Sequence, residues 1–138
     1  MLARPLGGWL ADRIGARSVL LVSFAAGAVL AAALTGFYQR IAPLTAACLG
    51  LGVAFGLGTG AVFKMVGEEF PGSVGAVTGV VGAAGGLGGF FPPIVLATVR
   101  AATGSYALAF LLLSATAVAC LAVLALRPDS VRRARATI

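Results

Sequence analysis

"SVLLVSFAAGAVLAAALTGF", residues 18–37, runs for twenty residues without a single charge. A helix of that composition has no polar face to turn toward water. At about 1.5 Å per residue, it matches a hydrocarbon core about 30 Å thick. The stretch therefore reads as a membrane span, and the reading repeats downstream: residues 43–63, 73–99 and 106–126 are also free of charge. Four successive spans exclude a single cleaved signal peptide.

The whole composition agrees. Of 138 residues, 60% are hydrophobic, 10% are charged and none is histidine, and the mean hydropathy is +1.07. A water-soluble domain carries roughly 25% charged residues to wet its surface. In lipid every backbone polar group needs a partner within the protein, and no strand alternation is present. The expected fold is all-α, a polytopic transmembrane helix bundle. Short connections at residues 38–42, 64–72 and 100–105 make successive spans antiparallel. Ahead of the first span, "MLARPLGGWLA", residues 1–11, is apolar except for Arg4 and reads as the end of a fifth helix. Transporters commonly show two related halves, and no internal repeat is visible here, so the chain is expected to be one part of a larger protein.

The net charge of +6 could point to nucleic acid, and the placement of the charges decides against it. Arg4, Arg13, Arg17, Lys64, Arg127, Arg132, Arg133 and Arg135 fall on one side of a four-span zigzag, and Arg40 and Arg100 on the other. A cytoplasmic excess of Lys and Arg orients multi-pass proteins. Both termini are therefore expected inside, with residues 127–138 as a basic cytoplasmic tail and no nucleic-acid partner. Cys48 and Cys120 lie within spans and read as small apolar fillers, not as a disulfide framework.

Three features stand out. In "GGWLADRIGAR", residues 7–17, Gly8, Asp12, Arg13, Gly15 and Arg17 read as a tight loop between two apolar runs, where Asp12 caps a turn or pairs with an arginine across the loop. Arg4 lies eight residues before Asp12, which on a helix is about 12 Å deeper in the bilayer. At that depth a guanidinium needs a cavity and a negative partner, and no carboxylate of this chain lies there, which suits it to a diffusible planar oxyanion. The plainer alternative is a cationic flank near the chain start. Finally, "GAVTGVVGAAGGLGGFFPP", residues 75–93, places Gly75, Gly79, Gly82, Gly86 and Gly89, together with Gly72 just before them, within an arc of roughly 100° on a helix. Gly85 and Gly88 widen that bare surface. Such a seam lets two membrane helices touch backbones, and Pro92 and Pro93 should kink or end the helix. Gly52, Gly56 and Gly60 repeat the device, with the ridge continuing to Lys64 and Glu68. Lys64 snorkels, pairs with Glu68, or supplies positive charge to the inner mouth of an anion path.

"RPLGGWLADRIGAR", residues 4–17, followed by "GAVFKMVGEEFPGSVGAVTGVVGAAGGLGGFFPP", residues 60–93, resembles the C-terminal part of the nitrate/nitrite porter family of the major facilitator superfamily. The resemblance implies the end of helix eight and helices nine to twelve of a twelve-helix transporter in the cytoplasmic membrane. It also implies a gating role for the loop of Gly8, Asp12, Arg13, Gly15 and Arg17, and nitrate or nitrite coordination by Arg4. The glycine run ending in Phe90, Phe91 and Pro92 resembles that family's nitrate signature. The implied partners are the anion, membrane lipid and the N-terminal half of the transporter. A facilitator for another small solute and a four-span membrane scaffold are the alternatives. No cofactor or metal is expected, and an enzyme is disfavoured by the lack of histidine and of a nucleophile–base pair.

Overall fold

The computed structural model describes residues 3–126, so the basic tail expected over 127–138 lies outside the described residues. The expected all-α class holds, with no strand among the described residues. Six helices follow one another: α1 (Ala3–Ile14), α2 (Ala16–Phe37), α3 (Ile41–Glu69), α4 (Val74–Gly89), α5 (Phe91–Thr103) and α6 (Ala107–Leu126). By length and apolar composition α2, α3, α6 and the combined α4–α5 segment are each able to cross a membrane.

Two local details differ from the sequence expectations and a third, the break at the proline pair, agrees with them, each for a backbone reason. The expected loop from Gly8 to Arg17 is almost entirely helical. Gly8, Asp12 and Arg13 lie on α1 and Arg17 on α2, and Gly15 alone separates the two helices. Its φ of +89° is a conformation that side-chain-bearing residues avoid, so one glycine turns the chain without a loop. Lys64 is not in a connection, because α3 continues to Glu69 before the chain turns at Phe70. The third span is broken at Phe90. Pro92 and Pro93 lack the N–H groups that would bond to residues four earlier, and α5 begins afresh with proline in its first turn. At the far end of α5, Gly104 adopts φ +70° and returns its N–H to Arg100 O at 2.8 Å, closing the helix.

α2 is the central element. It packs against α3 and α6, while α1 lies along α3. Its buried residues, Val19, Leu20, Ser23, Gly27, Ala28, Ala31 and Leu34, recur at the three- and four-residue spacing of one helix face. Most are small, so the helices approach closely. The tightest crossing joins α1 to α3: a methyl group on Gly60 would lie 2.8 Å from the Gly8 nitrogen, and one on Gly7 would lie 2.7 Å from the Leu57 Cα. Backbone contact of this kind is how membrane helices associate when lipid removes the hydrophobic drive between them.

Helix α4 is the opposite case. It meets α3 near the cavity described below, yet none of its residues is buried. A methyl added at Gly75, Gly79, Gly82, Gly85, Gly86, Gly88 or Gly89 would meet nothing within 4 Å. Among the described residues, no helix lies on the glycine seam.

Candidate functional site: an arginine-lined cavity and its charged rim

A cavity of about 550 Å³ opens where α1, α2, α3 and α4 converge. Arg4 enters it from α1. α2 contributes Leu20, Ser23 and Phe24, α3 contributes Phe55, Gly58, Thr59, Val62 and Phe63, and α4 presents Gly82, Gly85 and Gly86. Arg4 and the glycine run are thus brought together on one cavity, although 78 to 82 residues separate them in sequence. The lining holds no carboxylate. Arg4 makes no ion pair with any described residue. Its charge is therefore available to a bound anion, in walls that are otherwise mostly apolar. Gly75, Gly79, Gly88 and Gly89 do not line this cavity; Gly88 lines a separate one.

That second chamber, about 400 Å³, lies between α2, α3, α5 and α6 and is walled by Leu34, Phe55, Phe91, Pro92, Phe110 and their neighbours. Cys48 and Cys120 both line it, and both are exposed free thiols within candidate spans.

The charges expected to form a loop network are arranged differently. Asp12 does not pair with an arginine across the turn. Its Oδ1 meets the Lys64 Nζ, which ties α1 to α3, and Glu68 Oε1 stands 3.7 Å from the same Nζ. Arg13 lies over the Trp9 ring, 4.3 Å from its centroid. Arg17 donates to the carbonyl oxygens of Leu124 at 3.0 Å and Ala125 at 3.2 Å, at the C-terminal turn of α6. Helix C-termini carry unpaired carbonyls and partial negative charge, so the contact is favourable on both counts. These groups all sit at one end of the bundle.

At the opposite end, the Tyr38 and Ser105 hydroxyls are hydrogen-bonded at 3.1 Å, and Arg100 stacks over Tyr106 at 4.5 Å. Hydrogen bonds from Ser105 and then Gln39, with Arg100 nearby, hold the Tyr38 phenol below the ordinary tyrosine value. Reasoning from sequence missed Ser23, Thr59 and this cluster. The signal for Lys64 was present: a lone lysine ending an apolar helix, with few acids in the chain to meet it.

Four segments long and apolar enough to cross a membrane mark a multi-pass membrane protein. The family model for the Major Facilitator Superfamily matches residues 1–137, and the chain belongs to that superfamily. The chain is similar to the "Probable nitrate/nitrite transporter NarK2" of Mycobacterium tuberculosis, with 48% identity over 128 residues, covering 87% of this chain and 31% of that protein. It is also similar to the "Nitrite extrusion protein" of Bacillus subtilis, with 44% identity covering 86% of this chain and 30% of that protein. The "Probable nitrate transporter NarT" of Staphylococcus haemolyticus is 43% identical, with 80% of this chain and 29% of that protein covered. The chain thus spans under a third of the length of these relatives. No solved structure matches it.

Proposed function

We propose that this chain is the C-terminal part of a nitrate/nitrite transporter of the cytoplasmic membrane, with Arg4 holding the anion. The single observation that carries this reading is Arg4 on a cavity without a carboxylate, opposite Gly82, Gly85 and Gly86. A guanidinium offers two parallel N–H donors in a plane, which match two oxygens of a planar oxyanion. Arg4 is exposed on this chain, so it is the N-terminal half, closing over the apolar walls, that excludes water and strengthens the contact. The names of the similar proteins support nitrate or nitrite as the anion.

Transport then consists of binding and release with no bond made or broken, so the chain works as a carrier and not as an enzyme. The bare glycine face of α4 is the surface on which a helix of the N-terminal half slides or rocks. The Asp12–Lys64 pair is part of the inner closure, which forms and breaks as the two halves alternate. The excess of Lys and Arg at the Asp12 end supports a cytoplasmic position for that end and for both termini.

The test is uptake of labelled nitrate by cells expressing a complete porter that carries this segment. Saturable nitrate uptake, lost in Arg4→Gln, is expected. Uptake of an organic solute in place of nitrate, or nitrate uptake indifferent to Arg4→Gln, would overturn the reading.

A further inference from the structure

Ser23 is the group in the cavity that packing leaves unexplained. It is only 4% exposed, yet it lines the same cavity as Arg4. Hydroxyls on membrane helices ordinarily return to a backbone carbonyl. Thr45, Thr59, Thr98 and Thr116 each do so at 2.8 Å. Ser114, the other buried hydroxyl, donates to the Ala28 carbonyl at 2.9 Å. Ser23 makes no hydrogen bond with any described residue. Gly58 faces it across the α2–α3 contact, where an added methyl would stand 3.3 Å from the Ser23 Oγ. The glycine therefore leaves the hydroxyl its room.

Among the described residues no buried side-chain oxygen lacks a partner, so the Ser23 Oγ keeps open surface on the cavity, where its proton is free to meet an acceptor. We infer that Ser23 donates a hydrogen bond to an oxygen of the anion bound by Arg4 and so favours nitrate over nitrite. The inference rests on the anion-site reading above and extends it. Nitrate has three oxygens in a plane. The guanidinium fork occupies two and leaves the third for a neutral donor on the cavity wall. Nitrite has only two oxygens, and the fork takes both. A serine suits the task because it adds a donor without adding charge, so the singly charged anion is not over-held and can leave.

The experiment is titration calorimetry of a complete porter carrying this segment, in lipid nanodiscs, with sodium nitrate and, separately, sodium nitrite. Helicity by circular dichroism is monitored for every variant. Ser23→Ala should weaken nitrate binding by about tenfold, the range for a hydrogen bond to a charged group, and shift nitrite by less than about twofold. Ser23→Thr, which keeps the hydroxyl, should restore most of the nitrate affinity. Equal nitrate affinity in wild type and Ser23→Ala, or equal weakening for both anions, overturns the role of Ser23 and leaves Arg4 untouched. Absence of nitrate binding by the complete wild-type porter, or full binding by its Arg4→Gln variant, overturns the anion site and the Ser23 inference with it.

Discussion

Lys64 on α3 reaches across to Asp12 on α1 and keeps Glu68, one turn further along its own helix, at 3.7 Å. The pair connects the helix that carries Arg4 to the helix that supplies more of the cavity lining than any other. Both partners are partly exposed, 35% for Lys64 and 54% for Asp12, so water competes for the contact. Such a pair suits a joint that has to open.

Asp12→Asn and Lys64→Gln should each loosen the α1–α3 junction, and the double variant should lose no more than either single one. The measure is the thiol-labelling rate of a cysteine introduced at Ile14, which should rise in the single variants. The charge-reversed pair Asp12→Lys with Lys64→Asp should return it toward wild type. Additive effects would show that the two residues act separately.

Gly60 and Gly79 should respond oppositely to alanine. A methyl at Gly60 runs into the α1 backbone, 2.8 Å from the Gly8 nitrogen, and overpacking of this kind costs about 1–3 kcal/mol. At Gly79 the methyl meets nothing, and the gain in helix propensity is about 0.5–1 kcal/mol. Thermal unfolding of the chain in micelles should therefore fall for Gly60→Ala and hold or rise for Gly79→Ala. In a complete porter, Gly79→Leu and Gly86→Leu should abolish uptake while inserting normally, because the seam then meets its partner helix.

Arg4→Lys should reduce nitrate affinity by about tenfold or more despite keeping the charge, because an ammonium has no planar fork. Nitrate titration in nanodiscs reads this directly. A site that tolerates lysine would hold its ligand by charge alone, as expected of a facilitator for a less planar solute.

Arg17→Gln should fray the end of α6, since the wild-type guanidinium caps the carbonyls of Leu124 and Ala125. Favourable charge at a helix C-terminus contributes about 0.3–1 kcal/mol. Amide exchange near Leu124 should accelerate by a few fold, while exchange at the α2–α3 contact around Leu20 should stay unchanged.

Much of the fold was legible because lipid imposes one simple rule. A charge-free run of twenty residues, as at 18–37, must satisfy its own backbone and so must be a helix, whatever its neighbours do. The break before Pro92 and Pro93 was legible for an equally local reason, the missing N–H groups. Arg4 could be marked as unusual from sequence, because a charge within an apolar helix calls for a cavity or a partner wherever the helix packs.

Partnership is another matter, since it depends on which faces meet. Glycines look alike in sequence, yet Gly60 lies against the α1 backbone while Gly79 faces open space. The motif around Asp12 read as a loop, because nothing local shows that Gly15 alone can turn the chain at φ +89°. Arg17 found carbonyls 107 and 108 residues away, and Asp12 found Lys64 rather than an arginine beside it. Ser23 carried no signal in an apolar run. Only the convergence of α1, α2, α3 and α4 placed its hydroxyl on the cavity that Arg4 enters. Sequence by itself determined the helices, through solvent and backbone chemistry that act locally. Tertiary structure decided which polar groups share a space, because that depends on contacts between residues far apart in the chain.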